Sequence, residues 1–197
     1  MSSHAVHVLQ QEIARLRKEN ETQQTEIESL KRCITSLTEL YWAIQWIENE
    51  KDLESVIGLR LRDMMQAINA DDGSLLLLNE QTGELVFEFV HGSAAERLAG
   101  HRIAQDDGVA GWVMQNGEPA IVNNPKQDWR FSSNIDREFA FLTRSMLCVP
   151  MMRNATPIGV IEMLNKKQRE FTELDAILAL VLGQFVTAAL DQMAARS

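Results

Sequence analysis

The N-terminal quarter of this sequence lacks both residues that most often interrupt a helix. The first of the 10 glycines is Gly58 and the first of the 4 prolines is Pro119, so residues 1–51 contain neither. In a helix interior, glycine costs about 1 kcal/mol and proline about 3 kcal/mol relative to alanine. The composition therefore predicts an uninterrupted helix first and a globular part after it. We place the boundary between residues 1–51 and 52–197.

Cysteines, basic clusters and long apolar runs are also scarce. The 2 cysteines, Cys33 and Cys148, lie far apart, which suits a reducing compartment better than a disulfide framework. Lysine and arginine together number 19 against 28 acidic residues and form no patch, so nucleic acid and anionic membranes are not expected partners. We find neither a secretion signal nor a window approaching the ~18 apolar residues of a membrane span. The sequence predicts a cytoplasmic protein.

Apolar residues recur at spacings of three and four from Val6 to Ile44, as in a coiled coil. The first core position of each heptad is mostly β-branched and the second mostly leucine, a choice that favours two parallel strands. Asn20 occupies a core position, where it can pair with its mate and set the register. We predict a parallel homodimer whose seam includes Ile13, Leu16, Asn20, Ile27, Leu30, Ile34 and Leu37.

The second part alternates between helix and strand patterns. In order, we predict a helix at 52–70, a hairpin at 74–90, a short helix at 93–98, a strand at 102–104, a helix after Asp107, a loop at 123–144, a hairpin at 145–164 and a helix from Thr172 to about Ala194. Asp106 and Asp107 are expected to cap the helix that follows them, and Gly117 to end it. This order predicts an α+β domain with an antiparallel sheet.

Four segments of this part, taken in order, resemble GAF domains. They are Asp107–Val113, Gly117–Val122, Ser145–Pro150 and Pro157–Glu162. The resemblance covers about residues 52–195. It implies a six-stranded antiparallel sheet with helices on both faces, the terminal helices lying on one face and a ligand pocket on the other. It also implies a non-catalytic small-molecule sensor in signal transduction, which acts on an output enzyme or regulator in trans or within a longer chain.

Within that family, the chain is most similar to the cyclic-nucleotide branch of phosphodiesterases and adenylyl cyclases. The signature of that branch is matched by Asn165, Lys166, Phe171 and Asp175, with Ala176 in place of its glutamate; it implies a Lys166–Asp175 ion pair that supports the pocket. The positions that contact the cyclic nucleotide in relatives are occupied here by Ser74, Val109, Ala110, Asp136, Thr143 and Glu162. His91 stands where a relative uses aspartate to read guanine, which leaves the purine open. Read by itself, Thr172–Asp175 also predicts a capping box.

The amides of Gly108–Gly111, at a predicted helix start, could hold a phosphate or a carboxylate. Asp106 and Asp107 would disfavour an anion there, or would satisfy the same amides as caps. The residues leave both interpretations open.

The alternatives to a small-molecule sensor are an enzyme, a haem or metal sensor, and a dimerisation scaffold. GAF-fold reductases of free methionine sulfoxide use several cysteines, but only Cys148 lies in this part, and the chain has no serine elbow, HExxH or Walker motif. We therefore assign no catalytic residue and no certain cofactor. His91 and His101 have no ligand-spaced partner, although a haem- or metal-based gas or redox sensor stays open. A ligand-free dimerisation scaffold is the remaining alternative.

Overall fold

A computed structural model describes residues 3–46, 50–168 and 170–195. The helices are α1 (Ser3–Trp46), α2 (Glu50–Ile68), α3 (Ala95–Leu98), α4 (Gly108–Asn116), α5 (Asn134–Phe139) and α6 (Glu173–Ala194), with a 3-10 turn at Pro125–Gln127. The strands are β1 (Ala70–Asn79), β2 (Glu84–His91), β3 (Arg102–Ala104), β4 (Ala120–Val122), β5 (Met146–Arg153) and β6 (Thr156–Lys166). The structure contains the predicted elements in their predicted order, and it adds β4, the 3-10 turn and α5, which the predicted order lacked.

The described strands form one six-stranded sheet in the order β3-β2-β1-β6-β5-β4, and every pairing is antiparallel. The two long hairpins, β1–β2 and β5–β6, lie side by side through the contact between β1 and β6. This is the α+β architecture that the sequence predicts. It puts β1, β6 and β5 at the centre, where both faces of the sheet can be covered.

Side chains alternate between the two faces of the sheet, because successive residues of a strand point in opposite directions. Leu75, Ile161 and Val149 lie side by side on β1, β6 and β5, and all three belong to the core under α2 and α6. The adjacent row, Ser74–Glu162–Cys148, faces the opposite way. A second apolar cluster on that face includes residues of α3 and α4.

Helix α6 corrects one expectation from the sequence. Among the residues that the structure describes, it is the one helix long and apolar enough to cross a membrane by length and composition, which the sequence analysis denied for every window. Half of the apolar window is buried inside the fold. Its buried side chains, among them Leu178, Leu182 and Val186, pack into the core under the sheet. The apolar composition is explained by its position as a core helix.

The start of α6 is held by a capping box and an ion pair. The Thr172 hydroxyl accepts a hydrogen bond from the Asp175 amide at 3.4 Å, and the Asp175 carboxylate accepts one from the Thr172 amide at 2.8 Å. The same carboxylate pairs with the Lys166 ammonium at the end of β6. Both predictions for Asp175, as a capping residue and as the partner of Lys166, describe one junction between β6 and α6.

Helix α1 folds back along its own domain. Its Thr25 and Glu26 face Ala67 and Ile68 at the end of α2, and the helix contacts both α2 and α6. Six apolar residues of the predicted seam are between 50% and 62% exposed: Val6, Leu9, Ile13, Leu16, Ile27 and Ile34. Leu30 instead packs against the core of its own domain. The side chains of Leu37 and Cys33 lie outside the described residues.

The segment at 123–144, predicted as a loop, contains the 3-10 turn and α5. Asn123 anchors its beginning through two hydrogen bonds with the backbone of Phe171, at 2.9 and 3.1 Å. At its other end, Asn165 accepts a hydrogen bond from the Arg144 amide at 2.7 Å. The prediction missed these short helices because their stability depends on contacts with the rest of the domain.

Candidate functional site

A cavity, partly open to solvent, lies between the sheet and the two helices α4 and α5. About 80 Å³ of it can hold the centres of water-sized spheres, which is room for several water molecules or a small group of a ligand. Its wall is mostly apolar, with contributions from β1, β2, β6, α4, α5 and the loops around them. The resemblance implied a pocket on the face opposite the terminal helices, and the cavity lies on that face.

A glutamate sits in the middle of this apolar face. Glu162 lies between Ser74 on β1 and Cys148 on β5 in the cross-strand row, and it is 6% exposed. The Ser74 hydroxyl donates a 2.6 Å hydrogen bond to Glu162 Oε2. The other carboxylate oxygen, Oε1, accepts no hydrogen bond from the described residues, and the Glu162 side chain lines the cavity.

Burial changes the acid–base behaviour of this residue. Removing the carboxylate from water penalises its charged form and raises the pKa of Glu162 to about 7, against an ordinary value of 4.5, although the Ser74 hydrogen bond acts in the opposite direction. The pKa of the Cys148 thiol is raised as well, because the thiol is fully buried and stands beside Glu162. Cys148 is therefore a neutral core thiol, whereas Glu162 changes charge near neutral pH.

Two other acidic side chains are fixed by the loops that enclose the cavity. Asp136, on α5, accepts hydrogen bonds from the Thr143 amide at 2.9 Å and the Thr143 hydroxyl at 2.7 Å. Asp72, on β1, accepts from the Ser93 amide at 2.8 Å and from the Asn165 side chain at 3.3 Å. These bonds connect β1, β6, α5 and the loops at Ser93 and Thr143 around one side of the cavity.

The N-terminus of α4 also faces the cavity. Asp107 occupies the N-cap position, but its side chain makes no capping hydrogen bond, so the expected aspartate cap is wrong. The amides of Gly108, Val109 and Ala110 donate no hydrogen bond to other described residues, and all three residues line the cavity. The helix therefore presents three donor groups to whatever occupies this space.

The glycines of the Asp107–Val113 motif explain how this helix start is built. Gly108 has φ of +65°, a conformation that favours glycine. At Gly111, a Cβ atom would lie 2.2 Å from the backbone of Asp106, so glycine lets the preceding loop pass directly over the helix. These two glycines therefore allow the backbone path that forms this part of the cavity wall. Gly117 ends α4 in the left-handed conformation, as predicted.

His91 lines the cavity at the end of β2, and one of its ring nitrogens is already engaged. Its Nε2 lies 2.7 Å from the Gly58 carbonyl oxygen on α2. Since a carbonyl can only accept, Nε2 carries the proton and donates. The contact connects the cavity wall directly to α2.

Aromatic side chains complete the wall, and the sequence analysis did not assign them to the site. Phe87, Phe131 and Phe141 line the cavity. Nearby, the Arg130 guanidinium lies 4.7 Å from the centre of the Trp112 ring and pairs with Asp128 at 2.7 Å. The phenylalanines of the 123–144 segment were visible in the sequence as apolar residues in a loop, but only the fold shows which ones face inward.

The structure brings together seven predicted ligand-binding residues around one cavity: Ser74, His91, Val109, Ala110, Asp136, Thr143 and Glu162. Of the predicted supporting residues, Asn165 braces the cavity edge through Asp72 and the Leu142 carbonyl. Lys166, Phe171 and Asp175 lie elsewhere, at the junction with α6. Asp72 was not predicted as a site residue. It lies on β1 two residues before Ser74, so its side chain is on the same face of the strand.

Comparison with known proteins agrees with this architecture. A family model of the GAF domain matches residues 50–191. This chain belongs to the GAF domain family, whose members are small-molecule sensor and regulatory modules. The GAF domain of a phosphoenolpyruvate-protein phosphotransferase from Coxiella burnetii has the same fold, with a TM-score of 0.73, 18% identity, and coverage of 87% of this chain and 97% of that one.

Curated relatives include cyclic nucleotide phosphodiesterases. The chain is 26% identical over 132 residues to the probable 3',5'-cyclic phosphodiesterase pde-5 of Caenorhabditis elegans, a match that covers 62% of this chain. It is 28% identical over 151 residues, or 69% of this chain, to the dual 3',5'-cyclic-AMP and -GMP phosphodiesterase 11 of Drosophila melanogaster. The matched regions are only 18% and 10% of those two proteins.

Proposed function

We propose that this chain is a non-catalytic sensor that binds a small molecule in the cavity beside Glu162 and signals as a homodimer through its helices. One observation carries the proposal: a carboxylate with a free oxygen lies buried in the wall of a mostly apolar cavity. Burying an ionisable group without a full set of partners opposes folding. Strongly perturbed groups in clefts are candidates for functional roles.

Cyclic nucleotides are the first ligand class to test. The relative from Drosophila melanogaster is named as a phosphodiesterase of cyclic AMP and cyclic GMP, and the relative from Caenorhabditis elegans as a probable 3',5'-cyclic phosphodiesterase. In support, the free amides of α4 can donate hydrogen bonds to a phosphate oxygen, and carboxylates that can accept from a purine, such as Asp136 and Glu162, line the same cavity. The output enzyme or regulator would belong to the same longer protein or act in trans.

Ligand binding can reach the helices through contacts already in place. His91 joins the cavity wall to Gly58 on α2, and Asn165 joins the cavity edge to β6 immediately before the junction with α6. Helix α1 lies against α2 and α6. A ligand that binds two arrangements of these helices with different affinity would shift the population between them.

The ligand-binding proposal is tested by isothermal titration and thermal unfolding with cyclic AMP and cyclic GMP. A ligand at about 100 times its Kd should stabilise the protein by about 2.7 kcal/mol. Thr143→Ala should weaken binding, whereas the exposed Glu80→Gln, in the β1–β2 turn, should not.

Hydrogen exchange of residues 123–144 should slow when ligand binds; unchanged exchange would contradict a role for this segment in closing the cavity.

The homodimer is supported by the exposed seam on α1. In a parallel pair, Glu12, Glu19 and Glu26 would face Arg17, Gln24 and Lys31 of the second copy, so two of three pairs attract. Leu16→Asp should shift sedimentation toward monomer, because it places a charge in an apolar seam. Ala14→Asp, off the seam, is the matched control. Equal dissociation of both variants would refute the zipper.

The second candidate, a ligand-free dimerisation scaffold, is favoured by the same seam but not by the cavity. Its stability would depend on protein concentration alone, and no small molecule would raise the melting temperature. Haem or metal sensing has less support: among the described residues, no group of three histidine, cysteine or acidic side chains is arranged to hold a metal ion. An absorption spectrum of the purified protein tests the haem alternative directly.

A further inference from the structure

The charged groups lining the cavity carry predominantly one sign. Four carboxylates line it: Asp72, Asp107, Asp136 and Glu162. No lysine or arginine side chain belongs to the described wall, and His91 is its one basic residue. The Arg130 guanidinium, which lies outside the wall, is already paired with Asp128. A ligand with net negative charge would therefore enter an acidic cavity without a cation to receive it.

The carboxylates differ in how far other residues already occupy them. Both oxygens of Asp72 accept hydrogen bonds, from Ser93 and Asn165. Both oxygens of Asp136 accept from Thr143. Glu162 keeps one oxygen without a partner among the described residues. It is also the most enclosed of the four carboxylates, at 6% exposed, followed by Asp72 at 8%. Glu162 is thus the carboxylate best placed to take a donor from a ligand.

The aromatic side chains of the cavity wall also favour a positively charged ligand. Phe87, Phe131 and Phe141 line the cavity, and the face of an aromatic ring attracts a cation. A carboxylate with nearby aromatic rings is a suitable environment for a protonated amine, since the carboxylate supplies the charge and the rings cover the attached carbon atoms. The amides of Gly108, Val109 and Ala110 offer a separate place for a hydrogen-bond acceptor.

From this arrangement we infer that the cavity takes a small molecule with a protonated amine, which pairs with Glu162, while an acceptor on the same molecule meets the amides of α4. The inference rests on the proposed ligand-binding function and names the ligand class. Such a molecule carries a positive charge at the group that meets Glu162. It differs from a cyclic nucleotide, whose phosphate carries a full negative charge.

The pairing has a consequence for pH dependence. The pKa of Glu162 is about 7, so its ionised fraction rises from about one tenth at pH 6 to about nine tenths at pH 8. A primary amine such as that of lysine stays protonated throughout this window. Affinity for an amine should therefore rise about tenfold from pH 6 to pH 8, whereas affinity for an anion held next to Glu162 should fall. The other groups that face Glu162 or line the cavity are Cys148, Asp72, His91, Asp107 and Asp136. Arg130, outside the wall, lies close enough for its charge to act on the Cys148 thiol beside Glu162.

The test uses three probes of similar shape and different charge: phenethylamine, L-phenylalanine and 3-phenylpropionate. Each is titrated calorimetrically into the full wild-type chain at pH 6, 7 and 8, beside cyclic AMP and cyclic GMP. We expect the two amines to bind with an affinity that rises about tenfold across the series, and 3-phenylpropionate to fail. Glu162→Gln should weaken amine binding and remove its pH dependence, whereas Glu80→Gln should leave both unchanged.

The other outcomes separate the two proposals. Binding of 3-phenylpropionate or a cyclic nucleotide, with affinity that falls as pH rises, would overturn the amine inference and keep the sensor function. Failure of both amines to bind would also overturn the inference. If the cyclic nucleotides fail as well and no probe raises the melting temperature, the ligand-binding function itself is refuted in favour of the scaffold. Since the pH series uses the wild-type chain, the result does not depend on whether a variant folds.

Discussion

Replacing Glu162 with glutamine should make the protein more stable at alkaline pH and leave it almost unchanged in acid. Glutamine has nearly the same size as glutamate, and its side-chain carbonyl can still accept the hydrogen bond from Ser74. The substitution therefore removes the charge and keeps the packing. It isolates the cost of an ionised carboxylate in the centre of the sheet.

The size of the effect follows from the two pKa values. The folded protein holds the Glu162 proton up to about pH 7, whereas the unfolded chain releases its proton near pH 4.5. Below pH 4.5 both states are protonated, so the charge costs nothing. Between pH 4.5 and 7 the unfolded state ionises first and stability falls; above pH 7 the full penalty is present. The difference between the two pKa values corresponds to about 3 kcal/mol, at about 1.4 kcal/mol per pKa unit.

Urea unfolding of both proteins from pH 4.5 to pH 8.5 measures this difference. At a fixed protein concentration, the free energy of unfolding of Glu162→Gln minus that of wild type should increase with pH and level off above pH 7. Glu80→Gln controls for loss of an exposed carboxylate and should give a flat difference. A flat difference for Glu162→Gln would show that Glu162 is ionised in the folded protein throughout, and would refute the argument from burial.

Four other substitutions test the packing around the site. Gly159→Ala places a Cβ 2.2 Å from the Leu76 carbonyl oxygen and should cost about 1–3 kcal/mol in urea unfolding, whereas Gly183→Ala in α6, with its nearest neighbour at 3.4 Å, should be neutral or stabilising by up to about 1 kcal/mol. Asp175→Ala removes the cap and the Lys166 partner together and should lower stability by about 2–4 kcal/mol. Asn165→Ala should cost about 2–3 kcal/mol and speed hydrogen exchange at residues 142–145, because three side-chain hydrogen bonds disappear.

Much of the fold could be predicted because its signals are local. The hairpins at 74–90 and 145–164 were readable as apolar runs separated by turn residues, a signal that needs no tertiary information. The capping box at Thr172 spans four residues and was readable for the same reason. The seven ligand-site residues came from family resemblance, which assigns positions in a known fold without needing their contacts.

The predictions failed where the structure depends on three-dimensional contacts that the sequence pattern does not show. The capping role expected for Asp107 was wrong, because its side chain makes no hydrogen bond to the start of α4. The short helices of the 123–144 segment were missed, since elements of this length are stabilised by what they pack against. The apolar character of α6 was underestimated. Half of its apolar window is buried in the core, and only the fold shows that this helix is a core helix.

The sequence by itself determined the helical first quarter and the antiparallel α+β order, because periodicity and turn residues act over a few neighbours. Only the tertiary structure decided the charge state of Glu162, since its pKa depends on how far the surrounding wall excludes water. The same holds for Leu30, which has the spacing of a coiled-coil residue but packs against its own domain. Periodicity shows that a side chain needs an apolar partner; three-dimensional packing selects the partner.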